Sequence, residues 1–174
     1  KAACELLVMD YHRQGFVDGR SLRLPTVVVR PGKPNKAAST WASSIIREPL
    51  AGQEAVCPVS RETAMFVLSP RQVVAGLLHA ADLDTGAIGV DRTIQLPGNT
   101  FTVAEMLATL AEVAGPEVAA RVRFEPDPTI QRICDGWARR FETARARKLG
   151  FRADASFRAI VEAHIEDERG GAIA

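Results

Sequence analysis

Apolar residues recur every three or four positions in several stretches of the chain, which is the period of a helix with one buried face. This pattern predicts amphipathic helices over 1–15, 69–83 and 102–116, and another that begins at Ser156. The residues expected on the buried faces are Cys4, Leu7, Val8 and Tyr11 in the first helix, Val74, Leu77, Leu78 and Ala81 in the second, Val103, Met106, Leu107, Leu110 and Ala114 in the third, and Phe157, Ile160, Val161 and His164 in the last. Shorter helices are predicted over 39–52, 129–136 and 142–150.

One apolar run has the character of a strand that is buried on both faces. Residues 22–29 are rich in leucine and valine without a clean alternation of polar and apolar positions, which is typical of a parallel sheet. Four shorter strands are predicted over 54–59, 64–68, 93–96 and 121–124. A helix followed by such a strand is half of a β-α-β unit, so the predicted fold class is α/β.

The long strand runs directly into a cationic loop that contains Arg30, Lys33 and Asn35 among prolines and a glycine. In open α/β sheets, ligands bind beyond the carboxyl ends of the strands, which is where this loop lies. Arginine and lysine offer charge-assisted hydrogen bonds to an anion, and asparagine both donates and accepts. From these residues alone, a binding site and a solvated turn are equally good interpretations.

Composition narrows the class of protein. The 174 residues are 47% hydrophobic and 25% charged, as expected for one soluble globular domain. A formal net charge of +1 lacks the cationic surplus typical of nucleic-acid-binding proteins, so no nucleic-acid partner is expected. No apolar run approaches the roughly 20 residues that span a bilayer, so no membrane partner is expected either.

The cysteines and histidines give no sign of metal or disulfide chemistry. Cys4, Cys57 and Cys134 are scattered along the chain, which predicts small core residues in a reducing compartment, and hence a cytoplasmic location. The three histidines are far apart in sequence, without the spacing of a helical metal site, so no metal is expected.

Three segments resemble a known family when they are taken together. They are "LRLPTVVVRPGKPNKAAS", "REPLAGQEAVCPV" and "DGWARRFETARARKLGF", behind a lysine that opens an amphipathic helix. The chain resembles the C-terminal part of the extended short-chain dehydrogenase/reductase family, the NAD-dependent epimerase/dehydratase-like proteins. Within that family it is most similar to the D-erythronate dehydrogenase-like branch, which oxidises a four-carbon sugar acid.

The resemblance implies a division of the chain. Residues 1–35 would be the last helix and strand of a Rossmann-like, doubly wound NAD-binding domain. Residues 36–174 would form mainly a small α+β substrate-binding cap, from which a segment at about 65–85 returns to the Rossmann-like sheet. The family's glycine-rich phosphate motif has no counterpart among the 13 glycines of this sequence.

The resemblance also implies which residues face the cofactor. The family's catalytic pair is Tyr-x-x-x-Lys on one helix, and Lys1 stands where that lysine would be. Lys1 would hold the nicotinamide ribose and favour the ionised tyrosine, whose position lies four residues before the start of this sequence. Pro25 and Thr26 would pass beside the nicotinamide. NAD is the implied cofactor, with NADP not excluded.

The remaining site residues are implied for the substrate. Arg30 and Lys33 would bind the carboxylate of a small sugar acid, and Asn35 would bind its hydroxyl groups. Arg140 belongs to a basic cluster that is otherwise interpreted as a solvated helix face, but the family's cap contributes an arginine near this segment.

The function implied is that of an NAD-dependent oxidoreductase acting on a sugar acid, of which 1–174 is a C-terminal portion that is inactive alone. A portion of a nucleoside-diphosphate-sugar epimerase or dehydratase is the first alternative, and a non-catalytic small-molecule-binding module is the second. The family commonly dimerises through the helix that bears the catalytic pair, so the full protein is expected to be a homodimer.

Overall fold

The computed structural model describes residues 1–33, 35 and 37–173. Its helices are α1 (Ala2–Arg13), α2 (Trp41–Leu50), α3 (Pro70–Asp82), α4 (Thr85–Ile88), α5 (Val103–Ala114), α6 (Pro116–Ala119), α7 (Pro128–Asp135), α8 (Ala144–Lys148) and α9 (Phe157–Arg169). Its strands are β1 (Ser21–Arg23), β2 (Thr26–Val27), β3 (Ala55–Cys57), β4 (Ala64–Leu68), β5 (Thr93–Gln95), β6 (Asn99–Thr102) and β7 (Val122–Phe124). Every predicted helix is present, while α4, α6 and β6 were not predicted.

The strands form small sheets that are mostly parallel. β1 pairs in parallel with β5, and β3 pairs in parallel with β7. β4 is the centre of a three-stranded sheet, with β2 parallel on one edge and β6 antiparallel on the other. The α/β class predicted from the sequence is therefore confirmed.

The prediction of one continuous strand over 22–29 is wrong. The chain leaves β1 after Arg23 and enters β2 at Thr26, and the two strands have different partners. Pro25 lies between them, and a proline has no N–H to donate to a strand ladder. Pro25 is buried, and it therefore marks the point where the sheet formed by β1 and β5 meets the sheet centred on β4.

The main core lies where α2, α5 and α9 pack against the sheets. The predicted inward faces of α5 and α9 are confirmed, because Met106, Leu110, Ile160 and Val161 are each at most 1% exposed. Capping begins both helices: Thr102 and the glutamate three residues later form a reciprocal capping box on α5, and Ser156 accepts a hydrogen bond from the backbone of α9.

The predicted inward face of α3 is wrong. Leu77 and Leu78 are 51% and 63% exposed, whereas Gly76 and Ala80 are buried. A side chain at Gly76 would lie 3.1 Å from a methyl group of Leu96, so the helix packs closely through its small residues. Apolar periodicity identifies the helix correctly but does not distinguish its two apolar faces.

Helix α1 is present as predicted, but none of its residues is buried. Tyr11 is 52% exposed and packs on Phe16, with 5.6 Å between the ring centroids. An ion pair of 2.6 Å between Glu5 and Arg23 joins the helix to the end of β1. None of the helices in the described part of the chain combines the length and hydropathy needed to cross a bilayer.

Candidate active site

A cavity of about 290 Å³ opens at the break between β1 and β2. We call it the aromatic cavity. Pro25 and Thr26 line one side of it, and the far side is formed by Trp137, Ala138 and Phe141, which follow α7. Most of the lining side chains are apolar, so the cavity suits a flat, weakly polar ring better than a charged group.

The segment after α7 is held against β4 by specific contacts. The rings of Phe66 and Phe141 lie 5.1 Å apart, and Thr100 of the neighbouring strand donates a hydrogen bond to the carbonyl oxygen of Arg139. Arg140 is exposed and lies between residues that line the aromatic cavity. The structure therefore brings the segment of Arg140 next to Pro25 and Thr26, although it is more than a hundred residues away in sequence.

Lys1 lies immediately before α1. Gly19 lies against Val8, and Glu5 pairs with Arg23, so the helix and the chain at 19–23 run in opposite directions. The side chain of Lys1 is exposed, and among the described residues no hydrogen bond or ion pair engages its ammonium group.

The three loop residues predicted for the substrate are placed differently from one another. The backbone of Arg30 is fixed to α2, because its N–H donates to Ser43 at 3.1 Å and its carbonyl accepts from Arg47 at 2.7 Å. Lys33 is exposed. Asn35 is held by its side-chain oxygen, which accepts hydrogen bonds from the backbone of Ala37 and the hydroxyl of Thr40.

Asn35 lines a second and larger cavity of about 570 Å³, which we call the α2 cavity. One wall is polar and belongs to α2 and the residue before it: Thr40, Trp41, Ser44 and Glu48. The rest of the lining comes from the region of β3 and from α7: Val56, Pro58, Ile130 and Ile133 are apolar, and Glu54 is charged. The structure thus separates Asn35 from Pro25 and Thr26, because they line different cavities.

The polar wall was not singled out from the sequence. Trp41, Ser44 and Glu48 are spaced i, i+3 and i+7, so they lie on one face of α2. The signal that could have identified them is the spacing of these three residues along one face of a helix whose remaining positions include five buried apolar residues. A serine or glutamate within a short helix is common. These residues become candidates for ligand binding only because the structure places them in the wall of a cavity.

Two polar groups of these side chains are buried. Oε1 of Glu48 pairs with Arg47 at 2.6 Å, whereas its Oε2 is buried and has no hydrogen-bond partner among the described residues. The indole N–H of Trp41 is also buried, and it faces the thiol of Cys134. It lies close enough to Cys134 to lower the pKa of that thiol, although burial has the larger effect and raises the pKa overall.

Behind α2, His164 is a buried core residue, as the sequence predicted. Burial lowers the pKa of His164, and the nearby cation of Arg47 lowers it further, so the imidazole is neutral at pH 7. No group of three or more metal-binding side chains occurs among the residues that the structure describes.

Parallel β-α units with a cavity at the carboxyl end of a parallel strand are the arrangement in which α/β proteins bind their ligands. The chain matches no family model. It is 50% identical over 167 residues to a D-erythronate dehydrogenase of Cupriavidus necator, and 47% identical over 166 residues to one of Haemophilus influenzae. These alignments cover 96% and 95% of the chain but only 52% and 53% of the two relatives.

The solved structures agree with these relatives. The chain superimposes with a TM-score of 0.96 on a nucleoside-diphosphate-sugar epimerase from Agrobacterium tumefaciens, at 50% identity, covering 99% of this chain and 51% of that one. An L-threonine dehydrogenase from Phytophthora infestans shares the fold, with a TM-score of 0.84 at 23% identity, covering 98% of this chain and 54% of that one. These matches confirm the resemblance to the extended short-chain dehydrogenase/reductase family, and within it to the D-erythronate dehydrogenase-like branch. The chain spans about half the length of the curated relatives that it matches.

Proposed function

We propose that the chain is the substrate-binding part of an NAD-dependent dehydrogenase that oxidises a hydroxyl group of a small sugar acid, with D-erythronate as the first substrate to test. The observation that carries this proposal is the identity of about half of all residues to two D-erythronate dehydrogenases along nearly the whole chain. Membership of the short-chain dehydrogenase/reductase family supports a nicotinamide dinucleotide as the cofactor of the whole protein. The choice of NAD over NADP is part of the proposal.

In this proposal the end of β1 is where hydride and proton leave the substrate. Lys1 holds the ribose hydroxyls and keeps positive charge beside the tyrosine that precedes it in the whole protein. Pro25 and Thr26 form the floor on which the nicotinamide ring lies, and the apolar character of the aromatic cavity fits such a ring. NAD supplies the hydride acceptor when it is bound.

The substrate is oriented by the loop and the cap. Arg30 and Lys33 bind the carboxylate through charge-assisted hydrogen bonds. Asn35 binds a hydroxyl group through its N–H₂, because its oxygen is already engaged by Ala37 and Thr40. Arg140, beside the aromatic cavity, approaches the acid from the cap side.

Three further features of the whole protein belong to the same proposal. Residues 1–35 complete the dinucleotide-binding domain, and 36–174 form mainly the cap, with 65–85 returning to the sheet. The full protein is a homodimer through the face of α1, and it works in the cytoplasm. The exposed apolar side chains of Leu6 and Leu7 support an interface at α1.

A nucleoside-diphosphate-sugar epimerase is the second candidate, and the name of the Agrobacterium tumefaciens protein favours it. The two functions differ in the charge that the site must neutralise. A sugar acid needs one or two cations, whereas a diphosphate needs a larger group of donors. The third possibility, a non-catalytic binding module, requires that no oxidation occurs even in the whole protein.

Kinetics of the whole protein that contains this chain test the proposal. We expect D-erythronate to reduce NAD, and Arg30→Ala and Lys33→Ala each to raise KM with little change in kcat, because they remove binding that is equal in ground and transition states. The 174-residue chain alone is expected to show no turnover. Epimerisation of a nucleoside-diphosphate sugar without reduction of NAD by any sugar acid would establish the second candidate instead.

A further inference from the structure

Glu5 lies four residues after Lys1, on the same face of the first helical turn. The backbone N–H of Glu5 donates to the carbonyl oxygen of Lys1 at 3.1 Å, so the two residues belong to one continuous turn. Side chains at i and i+4 are neighbours on a helix, and opposite charges at this spacing attract each other. An ammonium group that pairs with a carboxylate in this way is less available to the ribose of a dinucleotide.

The carboxylate of Glu5 is instead engaged by Arg23. Nε of Arg23 donates to Oε1 at 2.9 Å and Nη2 donates to Oε2 at 2.6 Å, so the guanidinium holds both oxygens at once. These hydrogen bonds hold the pKa of Glu5 below its usual value, so the carboxylate is ionised at pH 7. Among the residues that the structure describes, no other side chain donates to this carboxylate.

The backbone of Arg23 is anchored to the neighbouring strand. Its carbonyl oxygen accepts hydrogen bonds from the N–H of Leu96 at 2.9 Å and from the side-chain amide of Gln95 at 3.0 Å. The side chain of Glu5 is 20% exposed and that of Arg23 is 55% exposed, so the carboxylate is the more enclosed partner of the pair. Removal of Arg23 would therefore leave a mostly covered carboxylate one helical turn from Lys1, without its cation.

We propose that Arg23 is a positioning residue that keeps the carboxylate of Glu5 away from Lys1, and so leaves the lysine ammonium free to bind the ribose. This inference rests on the proposed function, because it concerns the lysine that is proposed to hold the cofactor. Arg23 touches neither cofactor nor substrate and acts through Glu5. Its removal therefore harms cofactor binding only while Glu5 carries its charge.

Binding of NADH to the whole protein that contains this chain, followed by the fluorescence of NADH, tests this inference without any substrate. Arg23→Met leaves Glu5 charged and without its partner, so the Kd for NADH should rise about tenfold. Combining Arg23→Met with Glu5→Gln should restore the Kd to within about threefold of wild type, because the competing charge is gone. Arg23→Lys keeps a cation beside Glu5 and should weaken binding less than about threefold.

Two further variants serve as controls. Arg13→Met removes an exposed ion pair of 2.8 Å with Asp10 on the same helix and should change the Kd less than about twofold. Glu5→Gln alone keeps an oxygen that accepts from Arg23, so it should change the Kd less than about threefold, and it tests the inference even if Arg23→Met does not fold. A loss of stability alone reduces the amount of folded protein and leaves the Kd of the folded fraction unchanged.

The results that would overturn the inference are distinct from these. A double variant that binds NADH as weakly as Arg23→Met, or a tenfold loss in Glu5→Gln alone, would show that the ion pair itself supports the site. An unchanged Kd in folded Arg23→Met would remove any role for Arg23 in cofactor binding. Failure of the proposed function is measured separately, as absence of NAD reduction by a sugar acid in the wild-type protein that binds NADH.

Discussion

Arg92 provides the sharpest test of how this structure is held together. Its side chain is completely buried, although the residue follows an exposed turn. The guanidinium donates to the backbone carbonyls of Gly19, Thr85 and Gly89 and to a carboxylate oxygen of Asp18 at 2.5 Å. Arg92 therefore joins the turn before β1 to α4 and to the turn before β5.

The predicted effect of Arg92→Met can be worked from these contacts. Methionine fills much of the same space but removes the donor to the carbonyls of Gly19 and Gly89, and each unsatisfied buried polar group costs about 1–3 kcal/mol. The carbonyl of Thr85 still accepts from the N–H of Gly89. The carboxylate is half exposed and can be rehydrated, so it adds less than a fully buried partner would. We expect a loss of about 3 kcal/mol in the free energy of unfolding.

Urea denaturation followed by circular dichroism measures this change. With an m-value of about 2 kcal/mol/M, the midpoint should fall by about 1.5 M. Arg92→Lys should recover only part of the loss, because an ammonium group cannot reproduce the fork of donors. Arg13→Met is the matched control, since Arg13 is exposed and should leave the midpoint unchanged. A shift below about 0.5 M for Arg92→Met, on the same m-value, would refute the structural role assigned to Arg92.

Three further predictions concern other parts of the molecule. The hydroxyl of Thr85, followed by Arg20, holds the pKa of Asp18 below its usual value, so this stabilisation is present above about pH 4 and is lost as the pH falls through the lowered pKa. Asp18→Asn should flatten the acid side of the curve of unfolding free energy against pH between about pH 2 and 5. Thr102→Ala removes the capping box of α5 and should lower the free energy of unfolding by about 1 kcal/mol, measured by urea denaturation against Thr109→Ala on the same helix. Burial raises the pKa of the thiols of Cys57 and Cys134, so a thiol reagent should label the exposed Cys4 first in the native protein, and equal labelling rates by mass spectrometry would contradict the packing.

Helix periodicity and capping residues were sufficient to predict most of the fold. The buried faces of α5 and α9 follow from the spacing of their large apolar residues, and Ser69 and Thr102 mark two helix starts where the structure has them. The break at Pro25 was not predicted because the run of leucine and valine around it is typical of one continuous strand. Pro25 lacks the N–H that a residue within a strand ladder donates. In α3, close packing at Gly76 turns small residues inward, and a periodicity that weights large side chains cannot detect this.

The candidate site was only partly predictable for a different reason. Pro25 and Thr26 were expected at the site only from the resemblance to the family, whereas Asn35 was selected because its cationic loop follows the valine-rich run. The approach of Trp137 and Phe141 to Pro25 depends on tertiary contacts across more than a hundred residues, and no local pattern encodes it. Sequence pattern likewise cannot show that one oxygen of Glu48 is buried and has no hydrogen-bond partner within 1–33, 35 and 37–173.

The most direct test of the proposed active site is the effect of Lys1→Gln on NAD reduction by the whole protein that contains this chain. If Lys1 holds the ribose and supports the general base, kcat/KM for D-erythronate should fall about 100-fold or more, while the exposed Lys148→Gln control on α8 stays within twofold. Wild-type activity in the Lys1→Gln enzyme, with the substrate oxidised at an undiminished rate, would contradict the assignment of the site to the end of β1.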